Sequence, residues 1–306
     1  MESREFDVVT GAFSYTGKYI TRRLLAMGRG VRTLTGHPGR APGGNGHNIE
    51  VAPLQFKCKA VLAKSLLGAA TLYSTYWVRF GYGQVSYELA VENSRMLVAA
   101  AREAGVRRIV HLSITHPSPD SSLGYFRGKA AVEQAIVTSG LSHAILRPTV
   151  IFGVEDILIN NIAWLLRRFP LFAIPGSGEY RLQPVYVVDV AEMAVAAGQQ
   201  SGNVVADAVG PETYTFDALV RLIAEKVGSH ARIVHLPPSL ALAMSRLVGR
   251  AVRDVVLTKE EVEGLMAGLL VSDREPAGRT RLSEWISRHA HLLGRHYASE
   301  LSRHFR

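Results

Sequence analysis

The run Phe6-Asp7-Val8-Val9-Thr10-Gly11-Ala12-Phe13-Ser14-Tyr15-Thr16-Gly17 sets the architecture of this chain. Residues 6–10 are a short apolar run of the kind that forms a buried parallel strand, and a helical pattern follows from about Gly17 to Met27. The glycine-bearing segment between them is therefore a strand-to-helix turn, where backbone amides and the helix dipole can hold a phosphate. Gly11 permits the tight turn and Gly17 allows close strand–helix packing, but Ser14 stands at the middle position of a G-x-x-G-x-x-G pattern. Its hydroxyl can donate to a phosphate; if the position needs a positive φ, the side chain costs about 1 kcal/mol.

Outward from this unit, strands are expected at Val31 to Thr35, Glu50 to Phe56, Thr71 to Thr75, Arg108 to Ser113 and His143 to Ile151. Helical segments near 61–68, 86–104 and 125–138 separate them. Strands alternating with helices give an α/β fold, a doubly wound parallel sheet whose ligand crevice lies at the carboxyl ends of the strands. Pro184 to Val188 leads into a helical run, Asp189 to Ala197, so the nucleotide domain is expected over 1–152 and again over 183–210. Residues 153–182 read as a loop-and-helix insertion above the crevice, and 211–306 as a smaller, mostly helical C-terminal part; substrate contact is assigned to these two segments. Within the latter, Thr215 is placed to cap a helix over 216–227, and Thr258 with Glu261 forms a capping box.

The chain has 306 residues, 47% hydrophobic, and a single cysteine, Cys58, which excludes an intramolecular disulfide and any multi-cysteine metal centre. Acids stand at the N-terminus where a secretion signal carries basic residues, and no apolar stretch reaches the roughly 18 residues of a membrane span. A cytoplasmic protein is expected. The net charge of +9 favours anionic partners. The basic residues are scattered, with no zinc-finger or RNP-type spacing, so nucleic acid is set aside. The eleven histidines show no H-x-x-x-H spacing, and no metal site is expected. His289, His291 and His296 are read as surface residues. Segment 238–256 is apolar but carries Arg246, Arg250 and Arg253; it reads either as a helix packed on the domain or as one that meets a membrane surface or a partner.

Tyr125-Phe126-Arg127-Gly128-Lys129 opens a helix, and the i, i+4 spacing puts the phenol and the ammonium on one face. A cation beside a phenol stabilises the phenolate and suits it to proton transfer with a carbonyl or hydroxyl. Ser113, at the carboxyl end of the fifth strand, is placed to orient a substrate oxygen, with Thr115 second and Asn93 a candidate for a proton relay. Tyr73, Tyr76, Trp77, Phe80 and Tyr82 cluster after the fourth strand, as core or as the wall of a pocket. The second strand runs into Thr35-Gly36-His37-Pro38-Gly39-Arg40 with no acid for a ribose 2′-hydroxyl, which favours NADP over NAD. His37, Arg40 and Arg32 are the candidates for a 2′-phosphate.

Together with His111-Leu112-Ser113, Arg147-Pro148-Thr149-Val150-Ile151-Phe152-Gly153 and Gln183-Pro184-Val185-Tyr186-Val187-Val188-Asp189, these residues resemble the extended and atypical short-chain dehydrogenase/reductases over roughly residues 5 to 225. The run Ile151 to Asp156 and the Gln183 to Asp189 phrase are similar to the NADPH-binding accessory subunit of respiratory complex I and its bacterial epimerase/dehydratase-like relatives. The resemblance implies a Rossmann fold binding NADP, or NAD, through Gly11, Phe13, Ser14, Tyr15, Thr16, Gly17, His37, Arg40, Ser74, Lys129 and Pro148. It implies Tyr125 as acid/base, Lys129 lowering its pKa and touching the ribose, and Ser113 aligning a small-molecule substrate. Lys57 stands where the family often has an acid near the adenine. Two functions are expected, an oxidoreductase or epimerase/dehydratase-type enzyme, or a non-catalytic NADPH-binding module docked on a protein complex or membrane surface. A regulator that senses the NADP/NADPH ratio is third.

Overall fold

A computed structural model describes residues 5–36 and 49–304. Strand β1 (Phe6–Thr10) leads through the glycine turn into α1 (Tyr15–Ala26), and the chain returns as β2 (Gly30–Thr35). There follow β3 (Ile49–Pro53), α2 (Lys59–Leu66), β4 (Ala69–Ser74), α3 (Tyr87–Glu103), β5 (Arg108–Leu112), α4 (Gly124–Thr138) and β6 (Ser142–Pro148). An excursion carries β7 (Ile151–Phe152), α5 (Leu158–Arg168), β8 (Leu171–Pro175), β9 (Arg181–Leu182) and β10 (Val185–Tyr186). The chain then adds α6 (Val187–Gly198) and β11 (Val204–Ala208). The remainder is β12 (Tyr214–Thr215), α7 (Phe216–Val227), β13 (Arg232–Leu236), α8 (Pro238–Val252), α9 (Lys259–Met266), α10 (Leu282–His289) and α11 (Glu300–His304).

Two compact units result, the first from residues up to Pro148 with Val187–Ala208, the second from Thr149–Tyr186 with Val209 onward. The sequence expectation set these limits at 152, 183 and 210. The first unit is a seven-stranded sheet in the order β11-β6-β5-β4-β1-β2-β3. Every pairing in it is parallel. The sheet is doubly wound: the order runs outward in both directions from the β1/β4 pair, the reversal that opens a ligand crevice at the carboxyl ends in such folds. Its central strands β4 and β5 are buried throughout, as near-continuous apolar runs should be between two helical layers. On one face α1 packs against α6, and on the other α2, α3 and α4 pack side by side.

Strand β11 did not emerge from the sequence. Val204-Val205-Ala206-Asp207-Ala208 is a half-exposed edge strand, so its pattern lacks the apolar continuity of the inner strands. The sixth expected strand also ran too long, to Ile151; in the structure β6 stops at Pro148 and β7 is a separate element paired with β10.

The second unit is mostly helical, but it holds small sheets the sequence did not announce, β8 with β13 in parallel and β9 with β12 antiparallel. Its core gathers Ile159, Ile162, Phe172, Leu219, Ile223 and Trp285. The two expected caps are present, with Thr215 accepting from the Ala218 amide and Thr258 with Glu261 closing a reciprocal capping box. Among the described residues no helix is long and apolar enough to cross a membrane.

Candidate functional site

The turn after β1 is clamped from both neighbouring strands. Gly11 adopts φ +67°, a left-handed conformation that favours glycine, and its amide donates to the Leu34 carbonyl at 2.9 Å. The Ala12 amide donates to Thr33 Oγ1 at 3.0 Å. On the other side the Thr75 amide donates to Thr10 Oγ1 at 2.8 Å, and Thr75 Oγ1 donates to the Thr10 carbonyl at 2.5 Å. The start of α1 presses directly on this turn, for a Cβ added at Gly17 would lie 2.1 Å from the Gly11 carbonyl oxygen.

The condition under which Ser14 would cost energy, a positive φ, is not met. Ser14 sits at the N-cap of α1 with φ −79° and ψ 170°, ordinary extended backbone, so no left-handed penalty arises. Its hydroxyl turns inward and donates to the Gly11 carbonyl at 2.6 Å instead of reaching outward as a phosphate donor. Nor does it cap the helix, and the first turn of α1 has no acid. The positive end of the α1 dipole is therefore not neutralised from within the helix, the condition for holding a dinucleotide pyrophosphate. The close approach at Gly17 and the rigid clamps around Gly11 make these residues a fit for that group. Phe13, Tyr15 and Thr16 are half-buried along the same turn, and the Tyr15 and Tyr19 rings meet edge to face at 6.1 Å.

The other cofactor candidates divide. His37 and Arg40 lie outside the described residues. Arg32 is committed elsewhere: its guanidinium pairs with Glu50 at 2.9 Å, donates to the Ser65 carbonyl at 2.8 Å and covers the Phe6 ring at 4.4 Å. Lys57 is exposed just beyond β3. Ser74, buried at the end of β4, faces the His111 ring across the sheet, with Oγ to Nδ1 at 3.4 Å. Pro148, closing β6, gives its carbonyl to the Thr115 amide at 3.1 Å.

Lys129 is the electrostatic centre of this side of the sheet. Only 3% exposed, it points from α4 to the end of β5 and donates from Nζ to the Leu112 carbonyl at 2.7 Å. The Trp77 ring covers the same nitrogen at 4.6 Å. Burial pushes the ammonium down to about 7, against the opposing pull of the Glu133 carboxylate. Glu133 is itself held by a two-pronged contact from Arg147, at 3.0 and 2.5 Å. Below Lys129, His111 is wholly buried and held well below the ordinary imidazole range by burial and then by Lys129, so it is neutral at pH 7.

Tyr125 stands one turn before Lys129 on α4, half-buried, with its ring edge-on to Trp77 at 5.8 Å and to Tyr87 at 5.9 Å. Trp77 and Tyr87 stack at 6.3 Å. Gly128 makes room for this arrangement, since a Cβ there would meet Trp77 Cη2 at 2.8 Å. Ser113 follows the Leu112 that anchors Lys129; its amide donates to the Leu146 carbonyl at 2.7 Å. The Ser113 hydroxyl is buried and has no partner among the described residues, as is true of His111 Nε2 and Trp77 Nε1. A buried hydroxyl left unpaired is an energetic liability unless a ligand or water meets it. The structure thus brings Ser113, Lys129 and Tyr125 to one end of the sheet, with Trp77 as a wall.

The aromatic residues at the end of β4 and in the segment after it part company. Trp77 lines the lysine, Tyr73 and Phe80 are core, and Tyr82 is exposed. Asn93 donates from Nδ2 to the Tyr76 hydroxyl at 2.9 Å. Sequence reasoning missed Trp77 as the cap of Lys129, although the glycine between Tyr125 and Lys129 was the available signal. It also missed Thr33 and Thr75 as clamps of the turn.

Ser113→Ala tests the unpaired hydroxyl. The variant is expected to match or exceed the parent in stability, by about 0 to 1 kcal/mol in urea unfolding, because no protein hydrogen bond is lost. A loss above about 2 kcal/mol would mean that the hydroxyl has a structural partner.

This is an NAD(P)-binding fold of the oxidoreductase and epimerase type, a Rossmann sheet joined to a smaller, mostly helical part. Residues 7–285 match the NmrA-like family, and the chain belongs to that family. It is 26% identical over 295 residues to the mitochondrial NADH dehydrogenase (ubiquinone) 1 alpha subcomplex subunit 9 of Arabidopsis thaliana, spanning 87% of this chain and 70% of the relative. The corresponding mitochondrial subunit of Mus musculus is 31% identical over 188 residues, 58% of this chain and 47% of that protein. Among solved structures, the NADPH complex of the Escherichia coli NADPH-dependent quinone oxidoreductase QOR2 superposes with a TM-score of 0.75 at 21% identity, over 92% of this chain and 99% of that one. The expectation of a cytoplasmic protein is overturned by these relatives, which are mitochondrial proteins.

Proposed function

We propose that the protein binds NADPH on the turn from Gly11 to Gly17 and acts as an oxidoreductase on a carbonyl or alcohol carbon of a small molecule. The observation that carries this reading is the convergence at the end of β5: the Ser113 hydroxyl buried without a partner, beside the Leu112 carbonyl that anchors Lys129. When bound, the nicotinamide supplies or accepts the hydride. Ser113 donates a hydrogen bond from its hydroxyl to the substrate oxygen, keeping its own proton, and so holds the reacting carbon in place. Tyr125 gives a proton to that oxygen in reduction and takes it in oxidation. In its charged form Lys129 stabilises the Tyr125 phenolate, and its anchorage to Leu112 keeps the ammonium from wandering into solvent. NADPH is favoured over NADH because Thr35 and Gly36, at the end of β2, supply no acid for a ribose 2′-hydroxyl. His37 and Arg40 are assigned to the 2′-phosphate on sequence grounds alone.

Calorimetric titration with NADPH, NADP and NADH at low and physiological salt is the test, with Tyr125→Phe as companion. The expected result is preferential NADPH binding that Tyr125→Phe retains, while any turnover found in a carbonyl screen falls at least a hundredfold. Failure of all three nucleotides to bind sinks the proposal. A second reading rests on the relatives named as respiratory-complex subunits: a module that binds NADPH without turnover and docks on a protein complex. It is favoured if NADPH binds, no carbonyl substrate reacts, and Tyr125→Phe leaves a protein partner bound.

A further inference from the structure

Helix α8 presents a face that the fold does not cover. Leu240, Met244 and Leu247 recur at spacings of four and three, which places them on one side of the helix. They are 47%, 37% and 67% exposed, while Ala241, Leu242 and Gly249 bury the opposite side. Arg246 and Arg250 stand one turn apart along the edge of the apolar stripe, and Arg253 follows at the C-cap. Neither Arg246 nor Arg250 pairs with an acid among the described residues, and the helix itself contains none. Three of the acids downstream are occupied by other partners. Asp254 accepts from the amides of Glu300 and Leu301, Glu261 is spent in its capping box, and Glu263 pairs with Lys259 at 3.4 Å.

An apolar stripe with an arginine edge and no acid matches a surface that offers hydrocarbon beneath a layer of negative charge. We propose that the exposed face of α8 docks on an anionic lipid membrane, with Leu240, Met244 and Leu247 entering the headgroup boundary and Arg246 and Arg250 pairing with lipid phosphates. The helix is too short to span a bilayer, so it lies in the interface plane. The inference is independent of nucleotide binding.

The experiment is co-sedimentation of the full chain with vesicles of phosphatidylcholine alone or with about one third phosphatidylglycerol, where each surface arginine is worth about fivefold in affinity. Binding is expected on the phosphatidylglycerol vesicles and to weaken as salt is raised. Joint replacement of Arg246 and Arg250 by glutamine is expected to lower affinity about twenty-five-fold. Leu247→Asp is expected to lower it at least tenfold. Replacing Arg95 and Arg102 by glutamine removes the same charge elsewhere and should change it little. Circular dichroism melts check that each variant is folded. No binding to phosphatidylglycerol vesicles overturns the proposal, as does equal binding to phosphatidylcholine or equal loss in the two double variants. Concentration-dependent self-association abolished by Leu247→Asp, without vesicle binding, overturns it in favour of an interface between copies.

Discussion

Gly17→Ala is expected to destabilise the unit built on the parallel sheet by about 3 kcal/mol and to abolish the NADPH binding proposed above. The added methyl would sit 2.1 Å from the Gly11 carbonyl oxygen and 2.8 Å from its carbon. Both are backbone atoms, so no flexible side chain can swing aside to relieve the contact. Gly11 in turn cannot retreat, because its amide is held by the Leu34 carbonyl and the preceding Thr10 by Thr75. The helix must back away, separating the dipole end of α1 from the amides of the turn. Binding fails for the same geometric reason that stability falls. Gly202→Ala is the control: nothing lies within 4 Å of a Cβ there, and its effect should stay within about 0.5 kcal/mol. Urea unfolding and NADPH calorimetry on both variants decide the matter; a Gly17→Ala protein with the parent's midpoint and affinity would show that the turn tolerates a side chain.

Lys129→Met removes a pH dependence of stability. The folded ammonium titrates at about 7 against an ordinary 10.5, because burial disfavours its charge. Below pH 7 both folded and unfolded chains carry the proton, and the folded one bears the full desolvation penalty. Between pH 7 and 10.5 the unfolded chain still holds a proton that the folded chain has released, so stability rises with pH. At about 1.4 kcal/mol per unit, the parent gains roughly 4 kcal/mol relative to Lys129→Met between pH 7 and pH 10. Taking the difference between the two proteins cancels other titrating groups and the lost bond to Leu112. A difference that stays flat across this range would place Lys129 in solvent.

Much of this fold could be read from residue order alone, since β1, β2, β4 and β5 are short β-branched or apolar runs separated by helical periodicity. What escaped was structure whose stability comes from distant pairing. Val204–Ala208 becomes a strand only because β6 offers it an edge, and Arg232–Leu236 only because β8 does. The site divides in the same way. The Tyr125 and Lys129 pair is local, fixed by helical spacing, and so was visible. The conformation of the turn that carries Ser14 was not legible, because Ala12 and Thr10 in it are held by Thr33 and Thr75, 21 and 65 positions away. The burial of Lys129 depends on Trp77, on another element altogether.

The interrupted path of the first unit also bears on how the chain acquires its structure during synthesis. Helix α1 is complete by residue 26, yet the α6 surface it packs against is made only after residue 186. Strand β6 likewise waits for β11, with the whole excursion of residues 149–186 emerging between them. A ribosome adding about 5 to 20 residues per second leaves α1 with one face unprotected for on the order of ten seconds or more. That interval is the period in which a nascent chain of this design is most exposed to aggregation and most dependent on a chaperone.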